Sequence, residues 1–184
     1  ETETRMLAFI AFPILMAILL IAGSSYVYSS RMVEDLSKSE MLATATKYGS
    51  DIETFITKEV AYANMLSETI ALSDLSDDKL YKELIAITDK NSEILAAFVG
   101  FDDKRYLSGD QLPVDKDYDP RERDWYKDAM EYDHPYVSIP YEDASSGQTV
   151  ITVSTQIKKD GKAIGVLGLD ITMKTVNELV NGIK

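Results

Sequence analysis

The sequence contains no cysteine and a single histidine, His134. Without thiols there is no disulfide framework, no thiolate zinc site, no thiol redox chemistry and no cysteine nucleophile. One histidine leaves little for a Ser-His-Asp triad or a multi-histidine metal centre. Bases are outnumbered as well, 19 against 31 acids for a formal charge of −12. That is the wrong sign for a chain that must neutralise nucleic-acid phosphates. No phosphate-binding glycine loop or Walker motif occurs. Asp115, Asp117 and Asp119 imitate the start of a calcium loop, but Pro120 stands where that loop needs glycine and Tyr126 where it needs a bidentate glutamate. With so many acids, carboxylate pairs arise by chance, so they do not argue for glycoside hydrolysis. No catalytic residue, metal site or cofactor is expected.

What is present begins with an uncharged stretch from Met6 to Ser30, whose first eighteen residues, Met6 to Gly23, are almost wholly apolar. About 20 apolar residues at 1.5 Å rise cross the roughly 30 Å hydrocarbon core of a bilayer. Tyr26 and Tyr28 follow at the place of an interfacial aromatic belt. The run is longer than the apolar part of a signal peptide and has no Ala-x-Ala site at its end, which favours an uncleaved anchor. The remainder of the 184 residues is rich enough in apolar side chains, at 45% of the whole, to build a core.

From Arg31 to about Asp74 there is no proline and only one glycine, Gly49. Apolar positions at Met41, Ala45, Tyr48, Ile52, Ile56, Val60, Ala63, Leu66 and Ile70 step by threes and fours, predicting one buried stripe on a long helix. A second helix is expected over Asp77 to Asn91, with Asp77 and Asp78 at its positive end. The period then changes to two. Strands are predicted at Ile94–Phe101, Arg105–Ser108, Tyr136–Tyr141, Gln148–Ile157 and Ala163–Thr172, with an Asp-Gly hairpin turn in Lys158–Lys162. Between them Asp110–Asp119 reads as a loop, and Pro120 to Tyr132 as a helix capped by Asp119. Residues 173–184 form a final helix or linker. The expected fold class is α+β: a transmembrane helix continuing into a long helix packed on an antiparallel sheet of about five strands.

Three places carry candidate chemistry. Tyr118 to Tyr126, YDPRERDWY, gathers two tyrosines, the only tryptophan and two arginines at a helix start. Arginine offers a planar fork for a carboxylate, and Trp and Tyr offer apolar walls with one polar atom. Arg123 and Tyr126, three apart, would share a helix face. Against this stands a solvated charged helix with Trp125 as core anchor. Pro140 to Gly147, PYEDASSG, leaves a strand and carries Tyr141 and Asp143. Asp170 interrupts the apolar strand GVLGLDIT. A carboxylate there is costly to bury alone, so it should lie at a pocket wall, beside a cation or at the strand end in solvent. A pocket with a cationic and an anionic end would suit a zwitterion such as a free amino acid.

The order of these features resembles the extracellular double Cache (dCache) sensor of bacterial methyl-accepting chemotaxis receptors, of the amino-acid-binding type. The likeness runs over roughly residues 6 to 172 and rests on a DPRxRxWY helix and a PYxDxxxG strand exit. Tyr118, Arg123, Trp125, Tyr126 and the distant Asp170 fit the family's ligand motif. The resemblance implies a PAS-like sheet. It implies that Tyr118, Arg123 and Trp125 hold a ligand α-carboxylate, and that Tyr126 and Asp170 hold its α-ammonium. Tyr141 and Asp143 match an auxiliary loop. It also implies a sensor at the bacterial inner membrane, facing outward, paired as a homodimer through the long helix.

The domain plan that follows is a membrane anchor over 1–30, a stalk or packing helix over 31–74, a ligand module over 75–172, and over 173–184 the start of a linker to a second module. A sensor of the same kind could feed a histidine kinase or a diguanylate cyclase instead. A type IV pilin also begins with an apolar helix, but it carries a glutamate five residues into its processed end, where this chain has Arg5 and no acid from Met6 to Ser30.

Overall fold

The structure, a computed structural model, describes residues 2–73 and 75–181; in its first and last helices the side chains of 2–15, 17, 18, 180 and 181 lie outside the described set. Helix α1 (Thr2–Leu72) is continuous, as the scarcity of glycine and proline after Arg31 predicts. The chain divides into two compact units, 1–49 and 50–184. The apolar run expected to form the anchor, Met6 to Gly23, falls mostly outside the described side chains. Among the described residues no helix is long and apolar enough to cross a membrane. In the first unit Met41 and Ala45 are exposed, although the periodicity placed them on a buried stripe.

In the second unit the most buried line of α1 is Phe55, Glu59, Ala63, Ser67 and Ala71, each four residues from the last. Small side chains at three of these five positions let the helix lie close to its neighbours. The larger Ile56, Val60, Leu66 and Ile70 pack as half-buried flanks. The expected stripe had the right period and meets the buried line at Ala63, but that line lies one position before the stripe at Phe55 and Glu59 and one position after it at Ser67 and Ala71. Glu59 within this line has Lys58 Nζ 3.2 Å from its Oε1.

Helix α2 (Asp77–Lys90) follows, with Asp77 and Asp78 in its first turn as expected. Then come β1 (Ala96–Phe101), β2 (Tyr106–Ser108), a 3-10 turn (Pro120–Glu122), α3 (Asp124–Glu131), β3 (Tyr136–Val137), β4 (Tyr141–Glu142), β5 (Thr149–Lys159), β6 (Lys162–Thr172) and α4 (Met173–Asn181). The strands form one antiparallel sheet in the order β2-β1-β6-β5-β3, with β4 also on β5. There are six strands rather than about five because the stretch 136–141 splits. Pro140 has no N–H to give a ladder. Between the two pieces Ser138 N donates to the Thr152 carbonyl, while Thr152 N donates to Ser138 Oγ rather than to backbone. The β5–β6 hairpin turns at Asp160 and Gly161, both at positive φ (52° and 78°), as an Asp-Gly pair predicts.

Register decides what each face carries, because side chains alternate. Odd positions Ala97, Val99, Val153, Leu167, Leu169 and Ile171 face α1 and α2 and form the larger core. Even positions pair in rows: Thr152 with Asp170 and Ala96; Ser154 with Gly168 and Phe98; Gln156 with Val166 and Gly100. This second face receives α3 through Trp125, Tyr126 and Ala129. Gly100 makes the approach possible: a Cβ there would lie 2.7 Å from Pro120 Cβ and 2.8 Å from Trp125 Cη2. Gly100→Ala is expected to cost about 1–3 kcal/mol of stability and to displace Trp125. Urea unfolding followed by Trp125 fluorescence checks this, and an unchanged midpoint would contradict it.

Candidate functional site

The YDPRERDWY segment does not form the single helix expected over Pro120 to Tyr132. The Asp119 carboxylate caps the 3-10 turn by accepting from Arg121 N at 3.1 Å. It also grips the Arg121 guanidinium through Nε at 3.0 Å and Nη2 at 2.8 Å, with Lys104 Nζ at 3.3 Å. The Arg121 guanidinium holds the Asp119 carboxyl well below the ordinary carboxylate range. The helix then breaks at Arg123, which is extended (φ −82°, ψ 144°) and caps α3 with its carbonyl. Arg123 and Tyr126 consequently do not share a helix face. The two arginines of the motif have different fates. Arg121 is consumed by the turn, whereas no carboxylate among the described residues lies within ion-pair distance of Arg123. Its guanidinium carbon sits 5.9 Å from the centre of the Tyr118 ring.

Trp125 is 3% exposed, edge-on to Phe98 at 4.9 Å and to Tyr126 at 5.6 Å. Tyr118 stacks obliquely on Tyr106 at 4.9 Å. Burial raises the Tyr118 hydroxyl, opposed by the Trp125 indole donor and the Arg123 charge and reinforced by Asp170 and Asp143. Tyr118 thus stands where both the free cation and the acids act on it. Arg123, Trp125 and Tyr141 line a cavity of about 490 Å³, within the size range of small-molecule sites, which also carries the acids Glu122, Asp124, Asp128 and Glu142; Tyr118, Asp143 and Asp170 are not among its lining residues.

The acidic end is built on the sheet. Asp170 lies inside β6, 2% exposed. It is therefore not at a strand end in solvent, and no cation pairs with it among the described residues. Thr152, its partner in the register, donates its hydroxyl to Asp170 Oδ1. Tyr141 Oη lies 2.7 Å from Thr152 Oγ1. Since the Thr152 hydrogen is used on Asp170, Tyr141 is the donor in this pair, and the chain runs Tyr141 to Thr152 to Asp170. Burial pushes the Asp170 carboxyl up to about 8; the Thr152 hydroxyl opposes the rise, and the charges of Asp143 and Asp110 add to it. Burial, and after it the charge on Asp170, drives the Tyr141 hydroxyl far above its usual value.

Asp143 is turned into its own loop. Its Oδ2 accepts from Ser145 Oγ (2.8 Å), Ser146 Oγ (2.6 Å) and Ser146 N (2.7 Å). Burial works against ionisation here, but the Ser146 and Ser145 donors outweigh it and hold the carboxyl below its ordinary value. Ser145 Oγ also lies 2.8 Å from Asp110 Oδ2. The structure thus gathers Tyr118, Arg123, Trp125, Tyr126, Tyr141, Asp143 and Asp170 on one face. Within it Tyr126 stands towards the far end. It is buried beside Trp125, and the charges that bear on it are Asp102, Arg121, Asp119 and Asp103, beyond the end of β1 opposite to Asp170. Two residues of the acidic end, Thr152 and Asp110, carry no signal in the sequence: one is a threonine in an alternating strand, the other an acid in a polar loop.

The raised Asp170 carboxyl has a consequence for stability. Its folded value lies above the unfolded one of about 3.9, so the fold binds the proton more tightly and loses stability as pH rises from about 4 towards 8. Asp170→Asn keeps the acceptor for Thr152 and removes this cost. The ligand-free variant is expected to melt several degrees above the parent at pH 8 and close to it at pH 4. Equal melting temperatures at pH 8 would contradict the burial of an ionisable carboxyl.

Residues 53–178 match the family model described as methyl-accepting chemotaxis protein-like, first PDC sensor domain. The chemotaxis protein PscA of Pseudomonas syringae pv. tomato is 27% identical over 146 residues, which cover 79% of this chain and 23% of that protein. The chain therefore spans less than a third of such relatives. Among solved structures, the ligand-binding domain of the Pseudomonas aeruginosa PAO1 amino-acid chemoreceptor PctC in complex with GABA superposes with a TM-score of 0.70 at 23% identity, covering 76% of this chain and 66% of that one. The ligand-binding domain of the Pseudomonas fluorescens chemoreceptor CtaA with L-valine gives 0.65 at 25% identity, covering 72% and 59%. With the long helix, the antiparallel sheet and the α3 site face in place, the chain belongs to the methyl-accepting chemotaxis protein-like sensor domains, as a first PDC module.

Proposed function

We propose that this chain is the ligand-sensing module of a bacterial chemoreceptor and that it takes a small free amino acid, or a related amine, between Arg123 and Asp170. The observation that carries this reading is a pair of unmatched charges on one sheet face. Among the described residues no carboxylate lies within ion-pair distance of Arg123, although four acids share its cavity, and no cation lies within that distance of the buried Asp170. Both charges act on the Tyr118 hydroxyl. A ligand bearing both an α-carboxylate and an α-ammonium supplies the two missing partners at once. Arg123, with Tyr118 and the Trp125 indole, receives the carboxylate; Asp170 receives the ammonium, flanked by Tyr141 and Asp143. The L-valine bound by CtaA belongs to this class, and the GABA bound by PctC is a related amine with the same two charges on a longer chain.

The module performs no chemistry in this reading. Ligand binding biases two arrangements of the domain, and the signal is bounded by the difference in affinity between them. The apolar run Met6 to Gly23 anchors the chain in the bacterial inner membrane with the sensor outside, and α1 pairs two copies and carries the displacement inward.

Removing one member of a desolvated charge pair costs about 2–5 kcal/mol. Arg123→Gln and Asp170→Asn are therefore each expected to weaken binding by at least about thirtyfold while the chain stays folded. Isothermal titration of the full chain in detergent against the twenty L-amino acids and GABA checks this. Failure of every member to bind the folded chain would overturn the reading.

A further inference from the structure

The cavity that Arg123, Trp125 and Tyr141 line carries more negative charge than a simple zwitterion can balance. Its walls hold the four acids Glu122, Asp124, Asp128 and Glu142 against the single base Arg123. Two of these acids serve the fold locally. Glu122 Oε2 lies 3.8 Å from Lys127 Nζ, and Asp124 stands in the first turn of α3, where the helix dipole favours an acid. The other two have no such use. Asp128 stands in the last turn of α3, where the dipole disfavours an acid and no basic residue is present. It also follows Asp124 by four residues, a spacing at which like charges destabilise a helix. Glu142 projects from another wall, β4, and is exposed. Among the described residues no cation lies within ion-pair distance of Asp124, Asp128 or Glu142.

The cavity is the site already described, marked by Arg123 and Trp125, so the acids bear only on which ligand it prefers. Two observations beyond their charge point to a cation. The first is the aromatic wall of Trp125, Tyr136 and Tyr141. Aromatic faces attract cations, and a planar guanidinium stacks on them. The Tyr136 ring is itself held parallel to Tyr132, with 5° between the planes and 5.8 Å between centres. The second is that Tyr136 joins this wall to the acids. Its hydroxyl is raised by burial, then by a hydrogen bond to Asp128 and by the charges of Asp128, Tyr132 and Asp124. A neutral hydroxyl there orients Asp128 without balancing it. No three acid or imidazole groups among the described residues converge closely enough to hold a metal ion. The cation that fits is therefore organic.

We propose that this cavity selects an amino acid whose side chain carries its own positive charge, a guanidinium or an ammonium, with Asp128 and Glu142 as specificity-determining residues and Tyr136 as the aromatic wall. This inference rests on the amino-acid reading and names the class of ligand within it. Arg123 receives the α-carboxylate, and the distal cation then lies among the acids, where it relieves the repulsion between Asp124 and Asp128. An amino acid with a neutral side chain of the same length leaves that repulsion in place. The acids are half-buried or exposed, so each contributes modestly and salt screens it. The preference is a sum of several small attractions rather than one ion pair.

The test is isothermal titration of the full chain in detergent with two matched pairs, L-arginine against L-citrulline and L-lysine against L-norleucine, with circular dichroism as the fold control. In each pair the side chains are close in size and only one is charged. The parent is expected to bind at least one cation about tenfold or more tightly than its neutral counterpart, and added salt is expected to shrink that ratio. Asp128→Asn and Glu142→Gln are each expected to lower the ratio about two- to fivefold, and the double variant to lower it further. If neither cation binds more tightly than its neutral counterpart while other amino acids bind, this proposal alone is overturned. A parent-like ratio in the folded double variant would overturn the assignment to these two acids. Should Asp128→Asn not fold, Glu142→Gln, altered at an exposed side chain, carries the test, and a parent-like ratio there would overturn its part. Absence of binding by any amino acid to the parent would overturn the amino-acid reading and this proposal together.

Discussion

The structure depends on the cost of holding a carboxylate inside a sheet. Asp170 is buried in β6 and has a hydroxyl donor but no cation among the described residues. An unpaired buried charge is expensive, and a protein commonly answers by keeping the group protonated. The arrangement around Asp170 stops short of neutralising it permanently. Thr152 and Tyr141 supply a hydrogen-bonded chain that tolerates the ionised form. Asp143 and Asp110 bring like charges that oppose it. The site is therefore poised to gain an external cation, as a binding site must be.

The opposite charge is managed by a break in the backbone. A helix running unbroken from Pro120 would have carried Arg123 around with its turn. Asp119 instead spends itself on Arg121 in a 3-10 turn, and the chain is extended at Arg123 before α3 begins. One arginine closes the turn and the other is left unpaired beside Tyr118. Packing fixes both, because Gly100 lets Pro120 and Trp125 rest directly on β1. The cationic end thus inherits its position from the same sheet that carries the acidic end.

Local signals read well from the sequence, and pairwise ones did not. The long helix, α2, the 94–101 strand and the Asp-Gly hairpin follow from period, caps and turn chemistry, and they appear close to where those features put them. The stretch 136–141 was expected as one strand; its split into two short ones around Pro140 is visible only once β5 is in place. The stripe on α1 had the right period and held at Ala63; the inward line departs from it by one position on either side, at Phe55 and Glu59 and at Ser67 and Ala71. Arg123, Trp125, Tyr118 and Asp170 were legible as uncommon types at fixed offsets. Arg123 and Tyr126 were expected on one helix face, and the break at Arg123 separates them. Thr152 and Asp110 were invisible, since each reaches the site through contacts across the chain: strand register for one, a turn contact through Ser145 for the other.

The central claim is that one ligand must satisfy both unmatched charges. The most direct measurement compares, on the same folded chain, the affinity of the best-bound amino acid with those of two of its analogues, one with the ammonium replaced by a hydroxyl and one with the carboxylate removed. The account predicts that each analogue binds at least about thirtyfold more weakly than the parent amino acid, since each leaves a desolvated charge unpaired. An analogue that binds as tightly as the amino acid would contradict it.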